Sequence, residues 1–436
     1  MTISKKVILI IFISFISFGY GIMSQSWGLF PQPFINKIYW ELYAKPEEIN
    51  SFHVQRNTIQ RRTSLYKLSV DRINLPFDSR VERTYGGIDD LYSGILVASN
   101  LGDLFFIDGS RKLHKLSMGI PFSRGVFDNL ARSRNDVDRY RFGVKDIFVR
   151  RESSSTFRVF TSSNHWNPEE QCHTLQFKMA VVRRKGTAQF SLRKDWNTIY
   201  ETHPCLPLKD ESNAFGGLQT GGRIQARSDN EVLLTVGDYE FDGVNGDRQI
   251  ITDTTTSYGK IIAVNFRTGE SSVVSTGHRN PQGLYVDSQD RIWSTEHGPE
   301  GGDELNLVES GKNYGWPHVT YGTDYGAYRW PPSDTVGAHS GYERPMYAWL
   351  PAIGVSELTG IEGSLFKKWK GDLLISSLKK GTLYRTRIHE GRVIYVEPIQ
   401  LGRRLRDVIE MKDGTVLIKT ANGTLLALRP ADQPPA

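Results

Sequence analysis

Residues able to do chemistry gather between positions 277 and 325, which read GHRNPQGLYVDSQDRIWSTEHGPEGGDELNLVESGKNYGWPHVTYGTDY. Arg279 stands beside Asn280, a cation next to an amide. The run EHGPEGGDE places the carboxylates of Asp303 and Glu304 just after a Gly-Pro turn. Such a run is compatible with an acidic turn that holds no metal. His278, His297 and His318 lie close in sequence, but their spacings make no recognisable metal triad. His53, His114, His165, His173, His203, His339 and His389 stand in polar contexts that suit solvated or structural roles. No nucleophile motif of a hydrolase or lyase is present. A single Lys or Arg in a loop is ordinarily a solvated charge, so only a joint pattern gives such residues a function.

The elements that must position these groups are short. From Gly86 onward β-type runs such as GILVASNLGDLFFID, KDIFVRR, FRVFTSS, FKMAVVRR, VLLTVGD and KIIAVNF are bounded by turn residues. Gln289-Asp290, Asp413-Gly414 and Asn422-Gly423 sit where hairpins turn. Few segments carry a helical period, which disfavours βαβ architectures and points to radial repetition of antiparallel sheets. Roughly 350 residues of such text would make about six to eight four-stranded blades, although composition alone is also compatible with a large sandwich. No WD or kelch signature marks the repeats.

The segment 277–325 strongly resembles the quinoprotein glucose/sorbosone dehydrogenase family, which includes soluble glucose and aldose sugar dehydrogenases: HRNPQGL, EHGPEGGDE and NYGWP follow in the family's order and spacing. The likeness extends more loosely over about 213–428. It implies an all-β, six-bladed β-propeller that binds pyrroloquinoline quinone (PQQ) and calcium at one end of its axis. PQQ is a planar o-quinone with three carboxylates, so its site needs several cations and a Lewis acid at the quinone oxygen. By the resemblance Arg279 and Asn280 face the cofactor, Lys379 of SLKKG reaches its quinone edge or a carboxylate, and Arg404 and Arg406 of RRLRD pair with the remaining carboxylates. The carbonyls of Gly298 and Pro299 are implied calcium ligands, and Glu304 with Tyr314 matches a pair associated with a second, structural calcium. Trp316 is expected to pack in the core.

The pattern breaks at the catalytic base. The family carries a His four residues before the Arg of a Gly-Arg strand, and Gln219 stands there, ahead of Gly222-Arg223. An amide takes up no proton near neutral pH. Asp238 of TVGD matches a family Asp beside the base and is the candidate substitute, though a carboxylate of ordinary pKa is a weaker base than imidazole. Two functions follow: PQQ- and calcium-dependent oxidation of aldose sugars or related alcohols, with electrons passing to a membrane or soluble acceptor, or a non-catalytic propeller that binds a carbohydrate or protein.

Lys5 and Lys6 precede an uninterrupted apolar stretch over 7–23, which predicts an uncleaved transmembrane anchor with its N-terminus in the cytoplasm. The expected organisation is therefore an anchor or signal segment over 1–25, a tether and adapted first strand over 26–85, and the propeller over 86–430. The propeller would sit membrane-anchored on the extracytoplasmic, periplasmic side, a setting in which Cys172 and Cys205 suit a disulfide worth roughly 3 kcal/mol of loop entropy. A homodimer is compatible with this organisation. The net charge of +6 is scattered rather than massed, and the basic stretch 124–151 carries Asp128, Asp136 and Asp138, which repel phosphate, so nucleic acid is not an expected partner.

Overall fold

The structure, a computed structural model, describes residues 51–432 apart from 54–55, 76–84, 134–137, 139, 209–215, 244–248, 324–338 and 380. The chain enters through β1 (Ser51–His53), β2 (Arg56–Arg62) and β3 (Lys67–Asn74). A first sheet follows from β4 (Ile88–Leu91), β5 (Gly94–Ala98), β6 (Leu104–Ile107) and β7 (Lys112–Lys115), with β1 pairing against β7 at its edge. After helix α1 (Arg124–Ser133), the second sheet is β8 (Val144–Arg151), β9 (Thr156–Asn167), β10 (Cys172–Arg184) and β11 (Phe190–Glu201), with the short β12 (Leu206–Pro207) on β10. The third is β13 (Gly221–Ala226), β14 (Glu231–Val236), β15 (Lys260–Asn265) and β16 (Ser271–Thr276). The fourth is β17 (Pro281–Val286), β18 (Ile292–Glu296) and β19 (Asp303–Val308). From there β20 (Lys312–Asn313) crosses to β16, and β21 (Tyr347–Trp349) completes the fourth sheet. The fifth is β22 (Val355–Gly360), β23 (Leu373–Ser377), β24 (Thr382–His389) and β25 (Arg392–Gln400). The sixth is β26 (Leu405–Glu410), β27 (Val416–Thr420) and β28 (Thr424–Pro430), to which β3 and then β2 are added.

The first strands contact one another in a closed cycle, β4 to β8, β13, β17, β22, β26 and back to β4, so the six sheets are blades around one axis. This is the expected six-bladed propeller. Strands β18, β23 and β27 are buried along their whole length because neighbouring blades cover both faces. The outermost β11 and β25 are mostly exposed and carry charge. Each hairpin expected at Asp290, Gly414 and Gly423 turns with a positive φ at that residue.

One part of the sequence reading gains detail and another lies outside the described residues. Residues 51–74 form three strands rather than one adapted strand, and β3 pairs in register with β28 from Asn74↔Thr424 to Leu68↔Pro430, so the N-terminal side of the chain closes the ring onto its C-terminal end. The polar text RNTIQRR hides this because β2 is a partly exposed edge strand. No helix among the described residues is long and apolar enough to cross a membrane, and the expected anchor over 1–25 lies outside the described residues. Cys172 and Cys205 are joined as a disulfide.

Five of the six innermost strands carry a register shift at or near their start, in β8, β13, β17, β22 and β26, which re-aims side chains toward the axis. There Arg223 meets three carboxylates from other blades: Asp146 at 3.1 Å, Glu357 at 2.8 Å and Asp407 at 3.8 Å, all buried. The carboxylates also stitch blade to blade, accepting from the backbone N–H of Ile224, Leu284 and Ile88 at 2.9 Å each. Burial pushes Glu357 up to about 8 and Asp146 up to about 6 despite the guanidinium beside them. Removing the cation leaves three buried acids uncompensated. Arg223→Ala is expected to cost about 3–5 kcal/mol in urea unfolding at pH 7, and less at pH 5, where the stranded acids protonate.

Candidate functional site

The starts of the first strands and the ends of the second strands share one end of the propeller, and the sequence-predicted residues collect there. Gln219 and Asn280 precede β13 and β17, Asp238 and His297 follow β14 and β18, Lys379 follows β23, and Arg404 precedes β26. Gly237 lies so close to the chain before β13 that a Cβ there would stand 1.9 Å from the Gln219 carbonyl. That approach brings Asp238 against Gln219.

Asp238 is fully buried. Its Oδ2 accepts from Trp316 Nε1 at 2.7 Å and its Oδ1 from the Glu240 N–H at 2.9 Å. With the Gln219 amide oriented to match its neighbours, Nε2 donates to Asp238, at 2.9 Å to Oδ2, and Oε1 accepts from Arg279 Nη2 at 2.9 Å. Burial, reinforced by Asp242, raises the Asp238 pKa well above the carboxylate range. Asp238 is thus enclosed and saturated, and it orients Gln219. Trp316 packs in the core as expected, but it also holds Asp238 and lies 5.1 Å from the Arg279 guanidinium carbon.

Arg279 is 7% exposed and donates from Nη1 to the carbonyls of Gly298 at 2.8 Å and His297 at 3.3 Å, while its Nε is buried without a hydrogen-bond partner. Asn280 Oδ1 accepts from Gln282 at 2.9 Å. The Gly298 turn is fixed by Asp303. Its Oδ1 accepts from the Gly298 N–H at 3.2 Å, and its Oδ2 accepts from Ile353, Gly354 and Val355 at 2.9, 2.6 and 3.2 Å. His297, on the same turn, is held below the usual imidazole range by burial and then by the nearby Arg279 and Arg406, against the pull of Asp303.

Two blades on, Arg406 is 8% exposed, its Nε also buried without a hydrogen-bond partner, and its guanidinium carbon lies 4.5 Å from the centre of the Tyr85 ring. Burial, then Arg404 and Arg223, lowers its pKa. Lys379 and Arg404 are exposed at the same end. Sequence reasoning missed Lys145, which is buried with Nζ 4.4 Å from the Tyr85 ring centre, and Lys419, which donates to the Tyr85 carbonyl at 2.8 Å. The signal available was KD inside the apolar run FGVKDIFV.

Glu304 faces Glu296 in the interior, with Asn306 Nδ2 donating to both at 3.3 and 3.2 Å. Burial and then Glu296 raise the Glu304 pKa well above its ordinary value. Tyr314 does not join them through its hydroxyl, which donates to the Leu307 carbonyl at 2.6 Å and accepts from the Glu309 N–H at 2.9 Å.

Buried, part-unpaired arginines gathered at one axial end offer donors of the kind that pair with carboxylates. The sequence profile described as glucose/sorbosone dehydrogenase matches residues 89–427. The chain belongs to that family. It is 34% identical over 255 residues to an uncharacterized protein of Synechocystis sp., covering 54% of this chain and 60% of the relative, so the chain spans under two thirds of that relative's length. It is 25% identical over 311 residues to the aldose sugar dehydrogenase YliI of Escherichia coli, covering 66% of this chain and 77% of the relative. Among solved structures, the apo form of the soluble E. coli aldose sugar dehydrogenase superposes with a TM-score of 0.65 at 22% identity, over 83% of this chain and 99% of that one. The PQQ-bound aldose sugar dehydrogenase of Streptomyces coelicolor superposes with a TM-score of 0.58 at 19% identity, over 86% and 98%. These superpositions establish the fold.

Asp303→Ala is expected to leave four backbone N–H groups without their acceptor, at about 1–3 kcal/mol for each that stays buried. Hydrogen exchange should accelerate at 298 and 353–355 while the outer strands keep their protection.

Proposed function

We propose that this chain binds PQQ with calcium at the axial end and oxidises an aldose sugar or related alcohol, passing the electrons to a soluble or membrane acceptor. One observation carries this: Arg279 and Arg406, two blades apart around the axis, are each more than nine-tenths buried with a buried Nε that has no hydrogen-bond partner. A tricarboxylate supplies the missing acceptors. Arg279 and Asn280 would face the cofactor, Lys379 its quinone edge or a carboxylate, and Arg404 and Arg406 its remaining carboxylates. The Gly298 and Pro299 carbonyls would hold calcium, with the Gly298 oxygen keeping a lone pair beyond the bond from Arg279, and the Glu296–Glu304 contact near Tyr314 would suit a second, structural ion. When bound, the o-quinone accepts a hydride and calcium polarises its oxygen.

The protein's own part is to exclude water, orient the substrate and receive the hydroxyl proton. The last is where it is weak. Gln219 cannot accept a proton, and Asp238 behind it has no accessible oxygen and a raised pKa. The rate of hydride removal should therefore be limited by the missing base. Gln219 also favours a second function, a propeller that holds its ligand without turning it over.

The disulfide supports placing the domain outside the cytoplasm, on the periplasmic side, with the apolar stretch 7–23 as its leader or membrane tether.

PQQ binding is to be measured by titration with and without calcium, followed by dye reduction with a panel of aldoses. Saturable calcium-dependent binding with dye reduction supports the dehydrogenase, binding without reduction supports the ligand-holding propeller, and no binding overturns both as written. Gln219→His restores imidazole next to Asp238 and is expected to raise turnover by roughly a hundredfold or more, the usual contribution of a placed general base.

A further inference from the structure

Lys145 and Arg406 occupy equivalent positions. Each sits in the register shift at the start of an innermost strand, between Val144 and Asp146 on β8 and between Leu405 and Asp407 on β26, and those strands flank β4. Tyr85, just ahead of β4, is approached by both: its ring centre is 4.4 Å from Lys145 Nζ and 4.5 Å from the Arg406 guanidinium carbon. Lys419 adds a third buried cation at the Tyr85 carbonyl.

The carboxylates nearest Lys145 and Arg406 are paired with other arginines. Asp146 and Asp407 are turned to Arg223. Asp138 pairs with Arg141 at 3.3 Å, and Asp128 pairs with Arg124 at 2.9 Å. Lys145 donates to the Arg141 carbonyl, a neutral acceptor, and Arg406 keeps an unpaired Nε. On the next blade, Gly222 has φ +104° and a Cβ there would stand 2.8 Å from Lys145 Cβ, so only glycine leaves the lysine its place. Two cations on one aromatic ring, Lys145 and Arg406, with the acids nearest them paired to other arginines, form a cradle suited to an anion.

We propose that Lys145, with Arg406 across the Tyr85 ring, binds a carboxylate of the cofactor. The cradle rests on the PQQ function above and adds Lys145 and Tyr85 to the residues that hold the ligand. Burial and the neighbouring Arg406 and Arg141 push Lys145 down to about 7, against the pull of Asp138. An arriving carboxylate restores its charge. Binding at pH 8 should then take up protons from solution.

The test is equilibrium binding of PQQ and of its trimethyl ester to the full chain, read by tryptophan fluorescence quenching, with melting curves to confirm folding. Lys145→Met and Lys145→Gln are expected to weaken PQQ about ten- to a hundredfold, the loss of one charge-assisted hydrogen bond, and to leave the ester unaffected. Calorimetry of the wild type at pH 8, in two buffers of different ionisation enthalpy, is expected to show proton uptake. If both folded variants bind PQQ as the wild type does, or the wild type binds it without proton uptake, the cradle is overturned and the function proposed above survives. If the wild type binds no PQQ, that function falls and the cradle falls with it.

Discussion

Arg223 ties the structural axis to the candidate site. Its guanidinium not only pairs with Asp146, Glu357 and Asp407 but donates from Nε to the Gln282 carbonyl and from Nη2 to the Arg406 carbonyl, both at 2.8 Å. The two backbone segments it holds are those that carry Arg279 and Arg406. Six blades meeting at a narrow axis bring polar innermost strands together, and burial there is tolerable only if charges are paired. The pairing below the site is nearly complete, while above it cations remain in excess. The boundary between these layers lies at Arg406, whose carbonyl belongs to the network and whose side chain belongs to the site.

The same contrast separates holding a ligand from transforming one. Arg279 and Arg406 are largely buried, each with an Nε that has no hydrogen-bond partner, and Lys145 is buried beside Arg406 on the Tyr85 ring. Asp303 fixes the Gly298 turn through four backbone donors, so the oxygen donors implied for calcium are preorganised. Against this, the position where a base would act is occupied by an amide locked between Asp238 and Arg279. The residues proposed to hold the cofactor are in place, whereas a base for proton transfer is not.

Much of the fold is legible in the sequence because its signals are local. Alternating apolar runs and the turns at Asp290, Gly414 and Gly423 mark hairpins, and contiguous motifs mark Arg279, Asn280 and Gly298. What is hidden depends on distant pairing. Strand β2 reads as a polar tether because it lies at an edge, and its blade is completed by residues more than 300 positions away. Asp303 reads as a metal-side acid, yet it accepts from backbone N–H groups of residues 353–355, a role no spacing reveals. Lys145 is a charged residue in an apolar strand, a visible anomaly whose partner, Tyr85, is known only once β4 and β8 are adjacent. Tyr314 matched a motif by position, but its hydroxyl serves the turn around Leu307 and Glu309.

The central claim is that the axial end bearing Arg279 and Arg406 is where the cofactor binds, and a crystal structure of the protein grown with PQQ and calcium tests it most directly. The expected result is one PQQ at that end with a carboxylate within hydrogen-bonding reach of Arg406. Density for PQQ elsewhere on the propeller, or an empty axial end at saturating ligand, would contradict it.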